Sequence, residues 1–286
     1  MPRLHPFRFS TNTFLTSVAA LIALQSFVNS GTVQQSLLLE GSQPAIAAQR
    51  AKYNPPNRPT PIRTDGTGVR SSPGVKCGSS SESMFLSMLA PVGHTGETVN
   101  PRPTLYAYFT GKRPIEMRFG EVGKKPLFIQ RVESSESGFI PLPYPSDQPE
   151  LQTGKTYQWS VEVVCNPKKS FENVGLIKAN LQRVEASKKL ENALAKVEAV
   201  PERSAVYADA GLWYDAVDTL AGPLLDQPKN KALKTALFDL LEQGGLKKTV
   251  EQDRKVKRAT GCHGEMPIGT PRTDEKVRCP QSQLRY

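Results

Sequence analysis

Histidine, cysteine and tryptophan are scarce in this chain, whose 286 residues include three histidines, four cysteines and two tryptophans. After the first 48 residues, His94 and His263 are the histidines left to act as a base. No nucleophile with a nearby base and no G-x-S-x-G motif is recognisable. We therefore predict a non-enzymatic protein without a cofactor, and we interpret His94 as a surface residue between strands. A hydrolase is the alternative, which a pocket joining His94 to an acidic residue would favour.

Long apolar runs are also missing, apart from residues 14–28. This run follows basic residues and precedes the first acidic residue, Glu40, which is the layout of a secretory signal peptide. It is short and interrupted for a membrane span. Residues 1–48 are thus predicted to hold a signal peptide and its cleavage region, with cleavage after Ser30 or Ala47. An uncleaved membrane anchor is the alternative. We expect a soluble periplasmic or extracellular protein.

A basic surface on the folded part is the third feature that the chain lacks. The formal net charge is +10, yet residues 1–70 hold seven Lys/Arg and two acidic residues, and residues 247–286 hold ten and five. The interval between them holds 20 of each. This neutral body does not predict nucleic-acid binding. Residues 247–286 are predicted to form a basic tail without a helical or strand period. Such a tail is solvated, or it binds anionic lipid or polysaccharide.

Short apolar segments separated by turn residues dominate the middle of the chain. Residues 49–76 are rich in Pro and are predicted to be an extended linker. Seven strands are predicted within a domain of residues 77–186: 84–90, 104–110, 115–122, 127–132, 139–142, 157–165 and 174–184. Seven short strands in about 110 residues are typical of a β-sandwich.

The most informative strand begins at Tyr157. Tyr157, Trp159 and Val161 share one face, and Cys165 has the same parity and is predicted to point into the core. A Leu, a Gly turn and then Tyr-x-Trp-x-Val resembles the corner of immunoglobulin-like and fibronectin type III sandwiches. In that corner the tyrosine hydroxyl forms a hydrogen bond with the backbone a few residues earlier in the chain. The predicted fold class is α+β, with an antiparallel sandwich of this type.

Four cysteines follow the predicted signal peptide: Cys77, Cys165, Cys262 and Cys279. An oxidising compartment allows three pairings among them. Because Cys77 and Cys165 both border strands, we favour Cys77 with Cys165 and Cys262 with Cys279. Cys262, His263 and Cys279 lack a paired C-x-x-C and a second histidine, so no metal site is predicted.

Residues 187–246 change to a helical period and are predicted to form a helical domain. A helix is predicted to begin at Pro201, and a segment beginning at Gly211 has the spacing G-x-[YW]-x-x-A, which is similar to the second half of a tetratricopeptide repeat. Pro223 should end or kink its helix near Gly222. Since one repeat cannot bury its own face, we expect this unit to dock on the sandwich.

Acidic residues gather around the same segment. Asp209, Asp215 and Asp218 lie near a helix start, where the helix dipole favours acidic side chains without any catalytic role.

The order of these parts is similar to a known family. The shared pieces are Arg102-Pro103-Thr104, Gly154-Lys155-x-Tyr157-x-Trp159, Cys165-Asn166-Pro167, Arg183-Val184 and Gly211-Leu212-Trp213-Tyr214-Asp215-Ala216. They resemble the cyanobacterial family called domain of unknown function 928, over about residues 76–246. The resemblance implies a cyanobacterial envelope protein and brings no catalytic residues.

The leading hypothesis is a periplasmic or cell-envelope interaction protein, whose partner is an unknown protein or another envelope component. Trp213 and Tyr214 would line a groove for that partner, or else serve as core and docking residues. The alternative is a glycan or cell-wall binding module that uses Tyr106 and Tyr108. Exposed, coplanar tyrosines would favour sugar binding, and burial would favour a structural role.

Overall fold

The computed structural model describes residues 52–56, 71–134 and 136–261 of the protein. Strands come first along these residues and helices follow, as the change of apolar period predicts. The strands are β1 (Ser71–Val75), β2 (Met84–Met88), β3 (Gly96–Thr98), β4 (Thr104–Phe109), β5 (Ile115–Glu121), β6 (Phe128–Val132), β7 (Gly138–Pro143), β8 (Thr156–Val163) and β9 (Val174–Arg183). The α-helices are α1 (Lys188–Leu194), α2 (Val200–Asp209), α3 (Trp213–Asp226), α4 (Lys231–Gln243) and α5 (Lys247–Gly261). Not one of these five helices combines the length and the apolar character that crossing a bilayer requires.

Two sheets form from these strands. One has the order β1-β2-β4-β7 and the other has the order β3-β9-β8-β5-β6. Described neighbours are antiparallel, except that β3 runs parallel to β9. Strands β1 and β2 contact β9, and β2 also contacts β8, so the two sheets meet over a shared apolar core. The fold class is α+β, as predicted.

The predicted inward face of strand β8 is buried, and Ser160 and Glu162 of the other face are buried as well. Tyr157, Trp159, Val161 and Val163 are all buried. In addition, the Tyr157 hydroxyl accepts a hydrogen bond from the backbone N–H of Gln152 at 2.9 Å. The predicted closure of the tyrosine on the preceding backbone is therefore confirmed.

A disulfide joins Cys77 to Cys165, with a Cα–Cα distance of 5.4 Å, so this predicted pairing is confirmed. It ties the segment after β1 in one sheet to the segment after β8 in the other. The predicted place of Cys165 inside a strand is wrong, because β8 ends at Val163 and the cysteine is half-buried. A register shift between Val161 and Val163 breaks the alternation there. Cys262 and Cys279 lie outside the described residues.

Two strands are absent from the sequence prediction. β1 lies inside the predicted linker of residues 49–76, so that prediction is wrong for residues 71–75. Its sequence, Ser-Ser-Pro-Gly-Val, has a single apolar side chain, and it becomes a strand by pairing with β2. β3 is equally poor in apolar residues and pairs with β9. Both strands depend on pairing rather than on their own alternation, β1 with the next strand and β3 with a strand far along the chain.

The helical part follows the predicted order. Ser187 caps α1 by accepting a hydrogen bond from the N–H of Leu190, and Pro201 lies in the first turn of α2. Of the two predicted outcomes near Gly222, an end or a kink, the end is wrong, because α3 continues to Asp226 with Pro223 inside it. Burial of Leu224 in the core favours this last turn.

The expectation that residues 247–286 lack a helical or strand period is also wrong for residues 247–261. Helix α5 occupies residues 247–261 and buries Thr249, Val250 and Asp253. The Thr249 and Ser87 hydroxyls are hydrogen-bonded at 2.7 Å, and Asp253 forms an ion pair with Lys234 of α4. The first part of the predicted tail is therefore built into the fold.

Candidate functional site

The aromatic residues that the sequence singled out for partner binding are all buried. Tyr106 and Tyr108 are 3% and 0% exposed, and Trp213 and Tyr214 are 0% and 2% exposed. This corrects their assignment as partner-binding residues. β4 is an inner strand whose second face is covered by α3, a contact that its alternation does not reveal.

Trp213 and Tyr214 instead dock the helices on the sheets, as the isolated repeat requires. The indole N–H of Trp213 donates to the carbonyl of Leu89 at 2.9 Å. The Tyr214 hydroxyl donates to the carbonyl of Asn180 and accepts from the indole N–H of Trp159, both at 3.0 Å. The predicted docking of the helical unit is confirmed.

Two acidic side chains of α3 take part in the same junction. Asp215 accepts hydrogen bonds from the Thr98 hydroxyl and the Val99 N–H, both at 3.1 Å. Asp218 accepts from the Tyr106 hydroxyl at 2.6 Å. Burial raises the pKa of Asp215 to about 7, against the lowering effect of its two hydrogen bonds, and burial also raises the pKa of Asp218. Hydrogen bonds of these two carboxylates therefore link the sheets to α3. This role is additional to any favourable interaction with the helix dipole.

A segment upstream of β1, without helix or strand, lies across the other end of this junction. We call residues 52–56 the strap. The Asn54 N–H donates to the carbonyl of Ala208 at 3.1 Å, and its side-chain amide donates to the Asp209 carboxylate at 2.5 Å. The Tyr53 N–H donates to the side-chain carbonyl of Gln243 at 2.9 Å. The strap is thus held by α2 and α4 through its main chain as well as its side chains.

Tyr53 is the buried anchor of the strap, with 7% of its surface exposed. Its ring meets Trp213 edge to face with centroids 4.9 Å apart and stacks on His94 at 5.6 Å. Its hydroxyl and Nε2 of His94 are 2.6 Å apart. The expectation of a surface histidine is corrected, because His94 is half-buried against the strap.

Gly211 lies directly against the strap, where a larger residue would not fit. Its φ of +80° suits glycine, and a Cβ atom there would lie 2.9 Å from the Asn54 carbonyl oxygen. We call the surface formed by His94, Ala208, Gly211, Trp213 and Gln243 the strap cleft.

The strap contacts are the part of the site that sequence reasoning missed. The predicted linker of residues 49–76 has no helix or strand at the strap, but its docking was not foreseen. A lone aromatic residue, Tyr53, inside a Pro-rich segment is the signal that was available. Across the described residues, no group of three or more potential metal ligands occurs. Cys262, His263 and Cys279 lie beyond that part of the chain.

Comparison with known proteins gives one decisive result. A family model described as Domain of Unknown Function (DUF928) matches residues 65–254. The chain belongs to this family. The resemblance drawn from its motifs is confirmed. No curated protein matches the chain. One similar solved structure is the native α-L-rhamnosidase from Aspergillus terreus, with 17% identity and a TM-score of 0.25. The match covers 36% of this chain and 12% of that enzyme.

The DUF928 match separates the strap from the strap cleft. The match begins at residue 65, after the strap, whereas all five residues of the strap cleft lie within it. It also extends to residue 254, which places the buried part of α5 inside the DUF928 region. The strap cleft is therefore part of the matched region, and the strap lies outside it.

Asp215 should make the stability of this DUF928 protein depend on pH. Its pKa of about 7 lies above the ordinary value of 3.8, so the folded state keeps the proton to higher pH. Its contribution to stability is full below about pH 4 and is lost as the pH rises towards 7. Asp215→Asn, which stays neutral, should gain about 2 to 4 kcal/mol relative to wild type between pH 4 and pH 8. Urea unfolding of both chains at several pH values checks this, and parallel stability curves would contradict it.

Proposed function

We propose that the protein is a non-enzymatic interaction protein of the periplasm or cell envelope, and that its strap cleft binds an extended peptide segment of a partner protein. The observation that carries this proposal is the strap itself, a peptide segment already held in the strap cleft. Its hydrogen bonds to the Ala208 carbonyl and to Gln243 use main-chain N–H groups, which any peptide supplies.

Several features support the wider setting. The Tyr157 closure and the Cys77–Cys165 disulfide favour an immunoglobulin-like or fibronectin-like sandwich, and the G-x-[YW]-x-x-A segment favours a tetratricopeptide-like helical unit. A disulfide is typical of oxidising compartments, which supports export by the predicted signal peptide. The family resemblance adds a cyanobacterial envelope as the expected location.

The buried tyrosines weigh against the glycan alternative in its original form. Tyr106 donates to Asp218, and Tyr108 is fully enclosed, so neither ring is available to stack on a sugar. The strap cleft has the ring of Trp213, the main-chain carbonyl of Ala208 and the side-chain carbonyl of Gln243, which suit a peptide better than a sugar.

Peptide binding in trans tests the proposal. Replacing Tyr53 with alanine should loosen the strap, so the Tyr53→Ala chain should bind a labelled peptide of residues 50–58 with a Kd on the order of 10 to 100 µM. Fluorescence anisotropy measures this binding. The same peptide carrying alanine at position 53 should bind at least tenfold more weakly.

Two further variants locate the binding. Adding Gln243→Ala removes the acceptor for the Tyr53 N–H and should weaken binding several-fold, whereas the exposed Gln227→Ala should leave it unchanged. Equal binding of the two peptides, or equal effects of the two glutamine changes, would refute a specific strap cleft. Co-purification from the envelope fraction with Tyr53→Ala as bait then identifies the partner.

A further inference from the structure

Two consecutive side chains of the strap form hydrogen bonds with the folded body. The Tyr53 hydroxyl lies beside His94, and the side-chain amide of Asn54 lies on Asp209. Lys52 and Pro55, which flank this pair, are exposed. The side-chain contacts that depend on sequence are therefore concentrated at two adjacent positions of the bound segment.

His94 contacts the hydroxyl end of the first side chain. Its Nε2 is 2.6 Å from the Tyr53 hydroxyl oxygen, while the Tyr53 ring lies edge to face with Trp213. Tyr53 is buried, and a site that hydrogen-bonds a buried hydroxyl disfavours an analogue that lacks it. A phenylalanine would keep the ring contacts and lose the hydrogen bond. This contact therefore favours tyrosine over phenylalanine.

Asp209 accepts hydrogen bonds from the second side chain. The side-chain amide of Asn54 donates to the Asp209 carboxylate at 2.5 Å and is 3.3 Å from the Asp209 main-chain carbonyl oxygen. An aspartate in place of the asparagine would have no N–H to donate, and it would bring a second negative charge to the carboxylate. Because Asp209 is exposed, solvent screens that repulsion, but the lost hydrogen bonds remain lost. This contact therefore favours an amide over a carboxylate.

We propose that the strap cleft selects partner segments in which an asparagine directly follows a tyrosine. This selectivity rests on the peptide binding proposed above. Hydrogen bonds to the Ala208 carbonyl and to Gln243 use main-chain N–H groups and are open to any peptide. His94 and Asp209 are the specificity-determining residues, because each accepts or shares a hydrogen bond with one side chain of the pair.

A tyrosine-to-phenylalanine comparison tests the first position. By fluorescence anisotropy, the Tyr53→Ala chain should bind a peptide of residues 50–58 carrying Tyr53→Phe about fivefold to tenfold more weakly than the native peptide. Adding His94→Phe to the chain keeps a ring for stacking but removes the nitrogen, so the two peptides should then bind within about twofold of each other. A merely structural role of His94 would weaken both peptides and preserve their ratio. Equal binding with His94 intact, or a ratio that His94→Phe leaves unchanged, would overturn its role.

An exchange of amide and carboxylate tests the second position. The peptide carrying Asn54→Asp should bind about fivefold more weakly than the native peptide. Adding Asp209→Asn to the chain should restore its binding, because the introduced amide donates to the peptide carboxylate. The peptide carrying Lys52→Gln is the matched control, since it lowers the net charge by the same amount at an exposed position, and it should bind within about twofold of the native peptide. Equal weakening by Lys52→Gln, or no recovery with Asp209→Asn, would contradict selection by Asp209.

Loss of selectivity is distinguishable from loss of peptide binding. If the Tyr53→Ala chain binds neither the native peptide nor its variants, the proposed function and the selectivity both fail. If the Tyr53→Phe and Asn54→Asp peptides bind as tightly as the native peptide while Gln243→Ala still weakens all three, peptide binding stands and the selectivity is wrong.

Discussion

Replacing both Cys77 and Cys165 with serine is expected to lower the free energy of unfolding by about 4 to 5 kcal/mol. The two cysteines are 88 residues apart, so their bond removes much of the freedom of the unfolded chain. It also ties the two sheets together where β1 and β8 end. A loss of this size is comparable to the whole stability of many domains. Urea unfolding followed by circular dichroism measures it.

Reduction provides the matching control for the disulfide. Wild-type protein treated with a thiol reductant should unfold at the lower urea concentration of the double-serine chain, and that chain should not respond to reductant. A double-serine chain as stable as wild type would contradict a stabilising role for the bond. Peptide mapping without reductant should recover the Cys77–Cys165 pair, and a link from Cys77 to Cys262 or Cys279 would contradict the pairing.

Ending the chain after Leu246 is expected to cost about 3 to 5 kcal/mol of unfolding free energy, because it removes α5. The truncation exposes the surface that Val250 covers, which is worth about 1.5 to 3 kcal/mol. It also leaves the fully buried Ser87 hydroxyl without Thr249, and Lys234 without Asp253. Thermal and urea unfolding of the truncated chain measure the loss.

Single changes within α5 show whether its packing causes that loss. Val250→Ala should cost about 1 to 3 kcal/mol, because the side chain is fully buried. Lys247→Ala, at an exposed position of the same helix, should stay within about 0.5 kcal/mol of wild type. A truncated chain that unfolds like wild type would show that α5 is dispensable.

The sequence predicted those elements whose own residues carry a regular period. Trp159 and Val161 alternate with polar residues, so β8, its inward face and the closure at Tyr157 could all be predicted. The disulfide followed from the positions of Cys77 and Cys165 beside strands. Local pattern suffices when an element is buried on one side by its own apolar residues.

Elements without an apolar period of their own escaped prediction. β1 has one apolar residue and forms by pairing with β2, the next strand along the chain. α5 is highly charged, and its buried positions include Thr249 and Asp253, whose partners lie on β2 and α4. The sequence left open whether Tyr106 is exposed, and α3 covers it. For α5 and for Tyr106, the deciding contact joins residues far apart in sequence.

The strap has a consequence for the order in which the chain can be completed. Tyr53 leaves the ribosome early, yet Gln243, whose side chain accepts the hydrogen bond from the Tyr53 N–H, lies 190 residues later. A contact of such long sequence separation closes a large loop and is expected to form late. Tyr53 therefore has no binding surface until nearly all of the helices have been made. A bound strap marks a chain that has folded as far as the end of α4.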